Sequence, residues 1–350
     1  FFNSATNPAN RWMELQPRGD EELARWGPVA SWMYGATSAV FASAAPEYSG
    51  FYVQVQPQFA DMGVFGLGTI YQDWAPGRGL MDTAVPLSQL YIDKDAFGEI
   101  DTYSRVQTYS GRKLKQRYPD AVEAGMLGDM CQDHRTYTVI HMILPNEWWV
   151  PGLAGPRGKK FLSVHVSPDL KDFCSCGGYY DMPYATMEWK QRAGRVYPLG
   201  PGHAARADVQ MLQQMERSHI VAAQFAAEPP IAVTEEAALT SADFVPNGFL
   251  YGGVTEQGKQ TVLPIERRGT LTLSMQQSEQ RRAAIREAFQ FSLMQLVNRP
   301  QMTATEVMAF QQEKLQLMAP QLQLVQRGLA RWVARRFQLL MRAGALPPPP

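Results

Sequence analysis

The chain is 350 residues long, with 45% hydrophobic residues, 19% charged residues and a formal net charge of zero. That length fits one large or two ordinary domains, and the neutral balance excludes a protein that grips nucleic acid through overall basicity. No apolar run reaches the roughly 20 residues of a membrane-spanning helix, so no membrane partner is expected. Three cysteines, Cys131, Cys174 and Cys176, are too few for a disulfide framework and fit a reducing compartment. A chain that opens on Phe1 is expected to be a segment of a longer one. The neutral total is unevenly spread. Residues 218–258 hold five acids and no Lys or Arg, whereas residues 266–342 hold twelve basic residues against five acids. Such an acidic stretch followed by a basic one suits two different partners.

Taken in order, Asp20 opens a helix expected to reach about Phe41, with Leu23, Trp26, Trp32 and Met33 as apolar anchors and Pro28 near its start. Residues 51–56 alternate like a strand, whereas Pro57 and residues 59–63 favour a helix, so the local signals conflict. Gly63, Gly66 and Gly68 punctuate a turn. Their order is not the dinucleotide-binding fingerprint and points to close packing of backbone. From Gly68 to Trp189 short strands are expected at 69–72, 80–85, 103–108, 136–144, 161–166 and 184–189, with a short helix at 111–118. Hairpin-like spacing suggests an antiparallel meander. Residues 148–158 read as a long loop.

Pro198, Gly200, Pro201 and Gly202 break structure, and a helix follows from about His203 to Ala227, with Met211, Leu212, Met215, Ala222, Phe225 and Ala226 on one face. Pro229 and Pro230 end it by pushing Glu228 out of helical geometry. Residues 231–270 form an acidic insert punctuated by Gly and Pro, with strand signals such as 261–263. Ser274–Met–Gln–Gln277 has capping-box form and opens a second helix carrying Ala284, Ile285, Ala288, Phe289, Leu293 and Leu296 on one face. Arg281, Arg282 and Arg286 crowd a neighbouring face. After a loop at Asn298 and Pro300, Thr303–Ala–Thr–Glu306 is a further capping box. Val307, Phe310, Leu317, Leu322, Val325, Leu329, Trp332, Phe337 and Leu340 then recur at threes and fours, the stripe of a long helix. Pro320 inside it predicts a kink. The closing run of four prolines cannot join a core.

Reactive constellations are scarce. Gly155–Pro–Arg–Gly–Lys159 lacks the spacing and hydroxyl of a phosphate-binding loop. No nucleophile-elbow serine and no paired histidines on a helix occur. Cys174–Ser–Cys176 with Cys131 or a histidine is a weak metal pattern, and reduced structural thiols are expected. Asp93–Lys–Asp95 reads as a solvated turn and Arg18–Gly–Asp20 as a turn before a helix. His134, His141, His165, His203 and His219 are dispersed, and the tryptophans and methionines at helical spacing read as core. No catalytic residue, metal or cofactor is expected.

Three stretches carry a resemblance. Phe59–Ala–Asp–Met–Gly–Val–Phe–Gly–Leu–Gly68 is the first. Gly178–Tyr–Tyr–Asp–Met–Pro–Tyr184, followed by Gly194–Arg–Val–Tyr–Pro–Leu–Gly–Pro–Gly–His–Ala–Ala205 and Asp208–Val–Gln–Met–Leu212, is the second. Met302–Thr–Ala–Thr–Glu–Val–Met308 with Glu313, Lys314 and Pro320 is the third and most specific. Together the chain resembles the head-to-tail connecting, or portal, proteins of short-tailed bacteriophages over about residues 59–320. The acidic insert matches no motif of that family, and the family's usual N-terminal portion is not among these residues.

The resemblance implies an α+β portal-type fold. Residues 1–202 would be a β-rich wing, 203–230 the first of two long stem helices, 231–271 a small β-containing clip and 272–294 the second stem helix. Residues 295–302 would be a tunnel loop, 303–346 a long kinked helix leading to the crown, and 347–350 a proline-rich tail. It also implies a structural ring, about twelve copies by analogy, at one capsid vertex of the virion, assembled in the host cytoplasm. Double-stranded DNA would pass through, and terminase, tail adaptor, capsid and scaffolding proteins would dock. Asn298, Arg299, Gln301 and Met302 are the expected DNA-facing loop residues. Arg281, Arg282 and Arg286 are expected either to line the channel or to pair with acids of a neighbouring subunit. Glu235, Glu236 and Asp243 are the expected clip docking residues. The alternatives are a metal-dependent nucleic-acid-processing enzyme with a helical C-terminal domain, and a helical pore or coat component that binds no nucleic acid.

Overall fold

A computed structural model describes residues 5–17, 21–75, 77, 79–123, 134–227, 231–233, 262–264, 271–291 and 304–350. The chain divides into two compact units, residues 1–203 with 296–350, and residues 204–295.

The first unit opens with α1 (Glu21–Arg25), α2 (Gly27–Ser43) and α3 (Phe51–Phe65). The single helix expected from Asp20 is thus two. Trp26 takes an extended ψ of 122° and Pro28 stands in the first turn of α2, where its missing N–H leaves no carbonyl unpaired. The conflict at 51–56 resolves as helix. Phe51, Tyr52, Val55, Gln58 and Met62 are the buried residues of α3 and recur at helical spacing, so burial outweighs the β-leaning local composition. Gly66 ends α3 with φ 89° and donates its N–H to the Met62 carbonyl, the left-handed cap that glycine supplies without strain.

Eight strands follow in two antiparallel sheets. β1 (Leu67–Ala75), β2 (Gly79–Val85) and β8 (Tyr184–Glu188) form one in the order β2-β1-β8. β3 (Leu90–Lys94), β4 (Ile100–Ser110), β5 (Thr136–Pro145), β6 (Phe161–Ser167) and β7 (Asp172–Tyr179) form the other in sequence order. The expected meander is therefore the second sheet alone, because β8 returns to pair with β1, Leu67 opposite Glu188. Sequence reading passed over β3 and β7. β3 is only five residues long, and the Cys–Ser–Cys–Gly–Gly run of β7 resembles a turn. It is an edge strand on β6, where a Cβ on Gly178 would meet the Phe161 carbonyl oxygen at 2.6 Å. Two short helices, α4 (Gly111–Arg117) and α5 (Pro119–Glu123), follow β4.

Three apolar clusters hold this unit together. Ala36, Val40, Phe51, Val55, Met62, Ile70 and Met187 pack with Val325, Leu329, Trp332 and Leu340. Leu67, Tyr71, Val85, Leu90, Ile92, Tyr103, Ile143 and Tyr184 fill a second core drawn from both sheets. Leu114, Tyr118, Tyr137, Val139, Leu170 and Cys174 make a third beneath α4 and α5. The tryptophans are not uniformly core: Trp26, Trp74, Trp148 and Trp149 are exposed, while Trp189 and Trp332 are buried.

The long helix, α8 in chain order, spans Ala304–Arg342 with Pro320 inside it. Its expected stripe is buried at Val325, Leu329, Trp332 and Leu340. Val307, Phe310, Leu317 and the Thr303 cap lie outside the described residues or side chains. The helix closes with Gly344 at φ 66°, with hydrogen bonds from Gly344 N to Met341 O and from Ala345 N to Leu340 O. This is the paired bonding of a Schellman cap. The residue just before the proline run reaches the core, while the four prolines themselves are exposed. Leu346 is buried, and the Trp32 indole donates to the Pro347 carbonyl at 2.9 Å.

The second unit contains most of α6 (Pro201–Ala227), the antiparallel pair β9 (Ile231–Val233) and β10 (Val262–Pro264), and α7 (Leu271–Ala288). α7 begins three residues before Ser274, so the capping box there is not the helix start. The helix also stops earlier than the expected 294. Gln290 takes φ 55° and bonds back to the Glu287 carbonyl.

Candidate functional site

The arginines singled out by sequence sit on α7 and are engaged within their own chain. Arg281 donates to Asp208 of α6 at 2.8 Å, and Arg282 to Glu216 of α6 at 2.7 Å. Arg282 also reaches Glu279 at 3.4 Å, and Arg286 lies 3.6 Å from the same carboxylate. All these side chains are partly exposed, at 29–59%. Each exposed pair contributes little stability, but two of them bridge α6 and α7. The chemical effect is neutralisation: the guanidinium groups are already shared with carboxylates, so this face offers few free cations to a polyanion. Asn298, Arg299, Gln301 and Met302, and Glu235, Glu236 and Asp243, lie outside the described residues.

The described arginines of α8 are likewise engaged within the chain, which sequence reading missed. Arg335 and Arg336 are buried on the apolar side of α8. Arg336 meets Asp82 of β2 through its Nη2, which also donates to Ser49 Oγ at 3.1 Å. The Trp332 indole donates to the other Asp82 oxygen at 2.9 Å. With its amide oxygen turned toward them, Gln72 accepts from Arg336 Nε and Trp332 Nε1, each at 3.1 Å. Burial lowers the Arg336 pKa, opposed by the charge of Asp82. Arg335 donates to the backbone carbonyls of Gln72 at 3.1 Å and Asp181 at 2.6 Å. Arg327 and Arg331 both grip Glu99, and Arg342 reaches Asp181 at 2.8 Å. The signal available in sequence was positional: Arg335 and Arg336 fall between Trp332 and Leu340 on the stripe, and Asp82 alternates with apolar Leu80 and Ala84. These contacts tie α8 to the sheets, and Arg335 and Arg336 are withdrawn from the surface altogether.

The motifs at 59–68 and 194–205 meet in space. A Cβ on Gly200 would lie 2.5 Å from the Gly66 backbone nitrogen, and one on Gly202 would collide with the Val64 backbone. A Cβ on Gly68 would strike the Gln58 carbonyl, whereas Gly63 has open space. Close backbone packing is thus the role of Gly66 and Gly68. Glycine is required where two backbones cross this closely, and the crossing lies where α6 begins.

Among the described residues, nothing in the first unit resembles a reactive centre. Cys174 is buried and Cys176 exposed: residues two apart share a face of a regular strand, but the pairing of β7 with β6 is irregular at Cys174, so the two thiols face different surroundings. Cys131 lies outside the described residues. Asp95 Oδ1 accepts from the amides of Phe97 and Glu99 at 2.9 and 2.8 Å, the self-capping of a turn. His141 and His165 stack at 3.8 Å, with Ser163 3.0 Å from His141 Nε2 and Tyr118 2.7 Å from His165 Nδ1. Burial lowers the pKa of His141 to about 2 and of His165 to about 4, with repulsion from His165, Arg105 and Arg117 added at His141 and from Arg117 at His165. Both are neutral, hydrogen-bonded core residues at ordinary pH. Among the described residues no group of three or more His, Cys, Asp and Glu could hold a metal, and no helix is long and apolar enough to cross a membrane.

A family model described as "bacteriophage head to tail connecting protein" matches residues 2–350. The chain belongs to this family. It is 23% identical over 365 residues to the portal protein of Salmonella phage epsilon15, covering 100% of this chain and 64% of that one. It is 24% identical over 359 residues to the probable portal protein of Bordetella phage BPP-1, covering 99% and 63%. The chain thus spans a little under two thirds of the length of these relatives.

Proposed function

We propose that this protein is a phage portal: a structural ring of about twelve copies at one capsid vertex, through which double-stranded DNA is packaged and ejected. The observation that carries this is the family match across residues 2–350. The two sheets with α1–α5 would serve as the wing (1–202), α6 as the first stem helix (203–230) and α7 as the second (272–294). Residues 231–271 would form the clip, 295–302 the tunnel loop and 303–346, largely α8, the path to the crown. On this reading Asn298, Arg299, Gln301 and Met302 meet passing DNA. Glu235, Glu236 and Asp243 present acidic docking charge to terminase and then to the tail adaptor. Capsid and scaffolding proteins contact the outer ring, the protein resides in the virion after assembly in the host cytoplasm, and it performs no catalysis.

Charge supports the conduit reading. Every phosphate neutralised by a cation adds salt-dependent affinity, so a channel lined by free arginines would hold DNA in place. Arg281 and Arg282 are shared with Asp208 and Glu216, which favours neutral stem walls over pairing with a neighbour's acids. The competing reading, a metal-dependent nucleic-acid-processing enzyme, has no support from the family match.

Sedimentation velocity of the full-length protein tests the proposal. One species near the mass of twelve protomers is expected, and a monomer at micromolar concentration would contradict it.

A further inference from the structure

Two oppositely charged, apolar-tipped projections stand at the same end of the five-stranded sheet. The first is the β3–β4 turn. Phe97 is 92% exposed at its tip. It is held out by the Asp95 side chain, by the hydrogen bond from Asp95 N to Glu99 O at 2.8 Å, and by Gly98 at φ 83°. Asp93, Asp95 and Asp101 surround it, while Glu99 is already held by Arg327 and Arg331, and Lys94 is the one cation within the stretch itself. Lys94 is turned inward onto Glu188 at 3.4 Å.

The second is the β5–β6 loop, residues 146–160. Asn146 ties it together. Its Nδ2 donates to the carbonyls of Pro156 and Lys159 at 3.1 and 2.9 Å, and its Oδ1 accepts from Trp148 N at 3.2 Å. Val150 N donates to Arg157 O at 2.9 Å. The loop exposes Trp148, Trp149, Val150 and Leu153, an unusual concentration of apolar surface for a soluble loop. Arg157, Lys159 and Lys160 flank it against the single acid Glu147. Lys160 sits 5.5 Å above the Trp149 ring.

The register places both at one end. β4 starts just after the turn and runs antiparallel to β5, Tyr103 opposite Ile143 and Ser110 opposite Thr136, so β5 finishes at the end where β4 began. The turn stands on the β3–β4 side and the loop on the β5–β6 side. Two different, complementary patches on one subunit are what a head-to-tail contact requires. A two-fold contact would pair the turn of each copy with the loop of the other, so it is the ring reading that makes this contact head-to-tail.

We infer that the occupant of the 146–160 loop is a second copy of this chain: the acidic Phe97 turn of one subunit seats against the basic tryptophan loop of the next. This rests on the ring reading and adds which surfaces close the ring. Aromatic anchors supply the buried contact and the charges set its direction.

Charge reversal in the full-length protein tests it, read by native mass spectrometry of ring mass at low salt. One variant carries Asp93→Lys and Asp101→Lys; a second carries Arg157→Glu and Lys160→Glu. Each alone is expected to lose rings by at least about tenfold, since like charges across a contact are strongly unfavourable. Mixing the two, or joining all four substitutions in one chain, is expected to restore them. Phe97→Ser should also weaken rings while leaving the melting temperature of the dissociated subunit unchanged, which separates contact loss from misfolding. Variants that assemble like wild type, or reversed pairs that fail to rescue each other, would overturn the contact while wild-type rings stand. A wild type without rings would overturn the ring reading and this contact with it.

Discussion

Asp82 and Arg336 form an ion pair in which both side chains are fully buried. Removing one partner of such a pair leaves an uncompensated charge and costs about 3–5 kcal/mol, whereas replacing both by apolar groups of similar volume is often neutral. Asp82→Asn or Arg336→Met should therefore each lower stability by about 3 kcal/mol or more, and Asp82→Leu with Arg336→Met should recover most of the loss. Urea unfolding measures both, and single variants costing under about 1 kcal/mol would mean that the pair is hydrated. The stacked histidines act through pH. Their folded pKa values, about 2 for His141 and about 4 for His165, lie below the ordinary 6.5. The unfolded chain thus binds more protons, and stability is full above pH 6.5 and falls as pH drops below it. Each ring contributes a slope of about 1.4 kcal/mol per pH unit well below that point. Urea midpoints between pH 7 and 5 should decline, and His165→Asn should flatten the decline. An unchanged profile would place the rings in contact with solvent.

At the scale of elements, α8 is docked by contact so close that a methyl group is too large. A Cβ on Gly328 would lie 2.5 Å from the Thr186 carbonyl oxygen and 2.6 Å from Met187 Cγ. Gly→Ala inside a helix ordinarily stabilises by about 1 kcal/mol. Here the sign should reverse, with Gly328→Ala destabilising by about 1–3 kcal/mol through overpacking, as thermal unfolding would register. A gain in melting temperature would show that helix and sheet separate readily. Elements with strong periodicity were legible from sequence: the stripe of α8 and the strands β4, β5 and β6 fall close to where the pattern puts them. Those that failed share a cause, which is that tertiary packing decided them. α3 is helical because its buried residues recur at helical spacing despite Phe–Tyr–Val–Gln–Val–Gln. β7 is a strand because β6 offers it an edge. α7 starts before Ser274, since a capping sequence inside a helix is simply not used. Among the candidate site residues, the α7 arginines were found but their partners on α6 were not, because no local pattern links residues more than sixty apart. The buried role of Arg335 and Arg336 was hidden by composition, which counts charges without asking which way they face.

At the scale of the whole molecule, one logic governs the basic segment. Sequence presents it as a surface for another partner, yet its described arginines are largely spent inside the chain, on Asp82, Glu99, Asp181, Asp208 and Glu216. Among the exposed apolar side chains, those of the Phe97 turn and the tryptophan loop stand on hydrogen-bonded projections. On the ring reading proposed above, neutral helix faces and oppositely charged projections would let copies join around a passage without gripping what moves along it. Cryo-electron microscopy of the purified full-length protein tests that claim most directly. Closed rings with an axial channel wide enough for duplex DNA, and with α6 and α7 around the axis, are expected. Discrete monomers or dimers, or rings whose axis is closed by these helices, would contradict it.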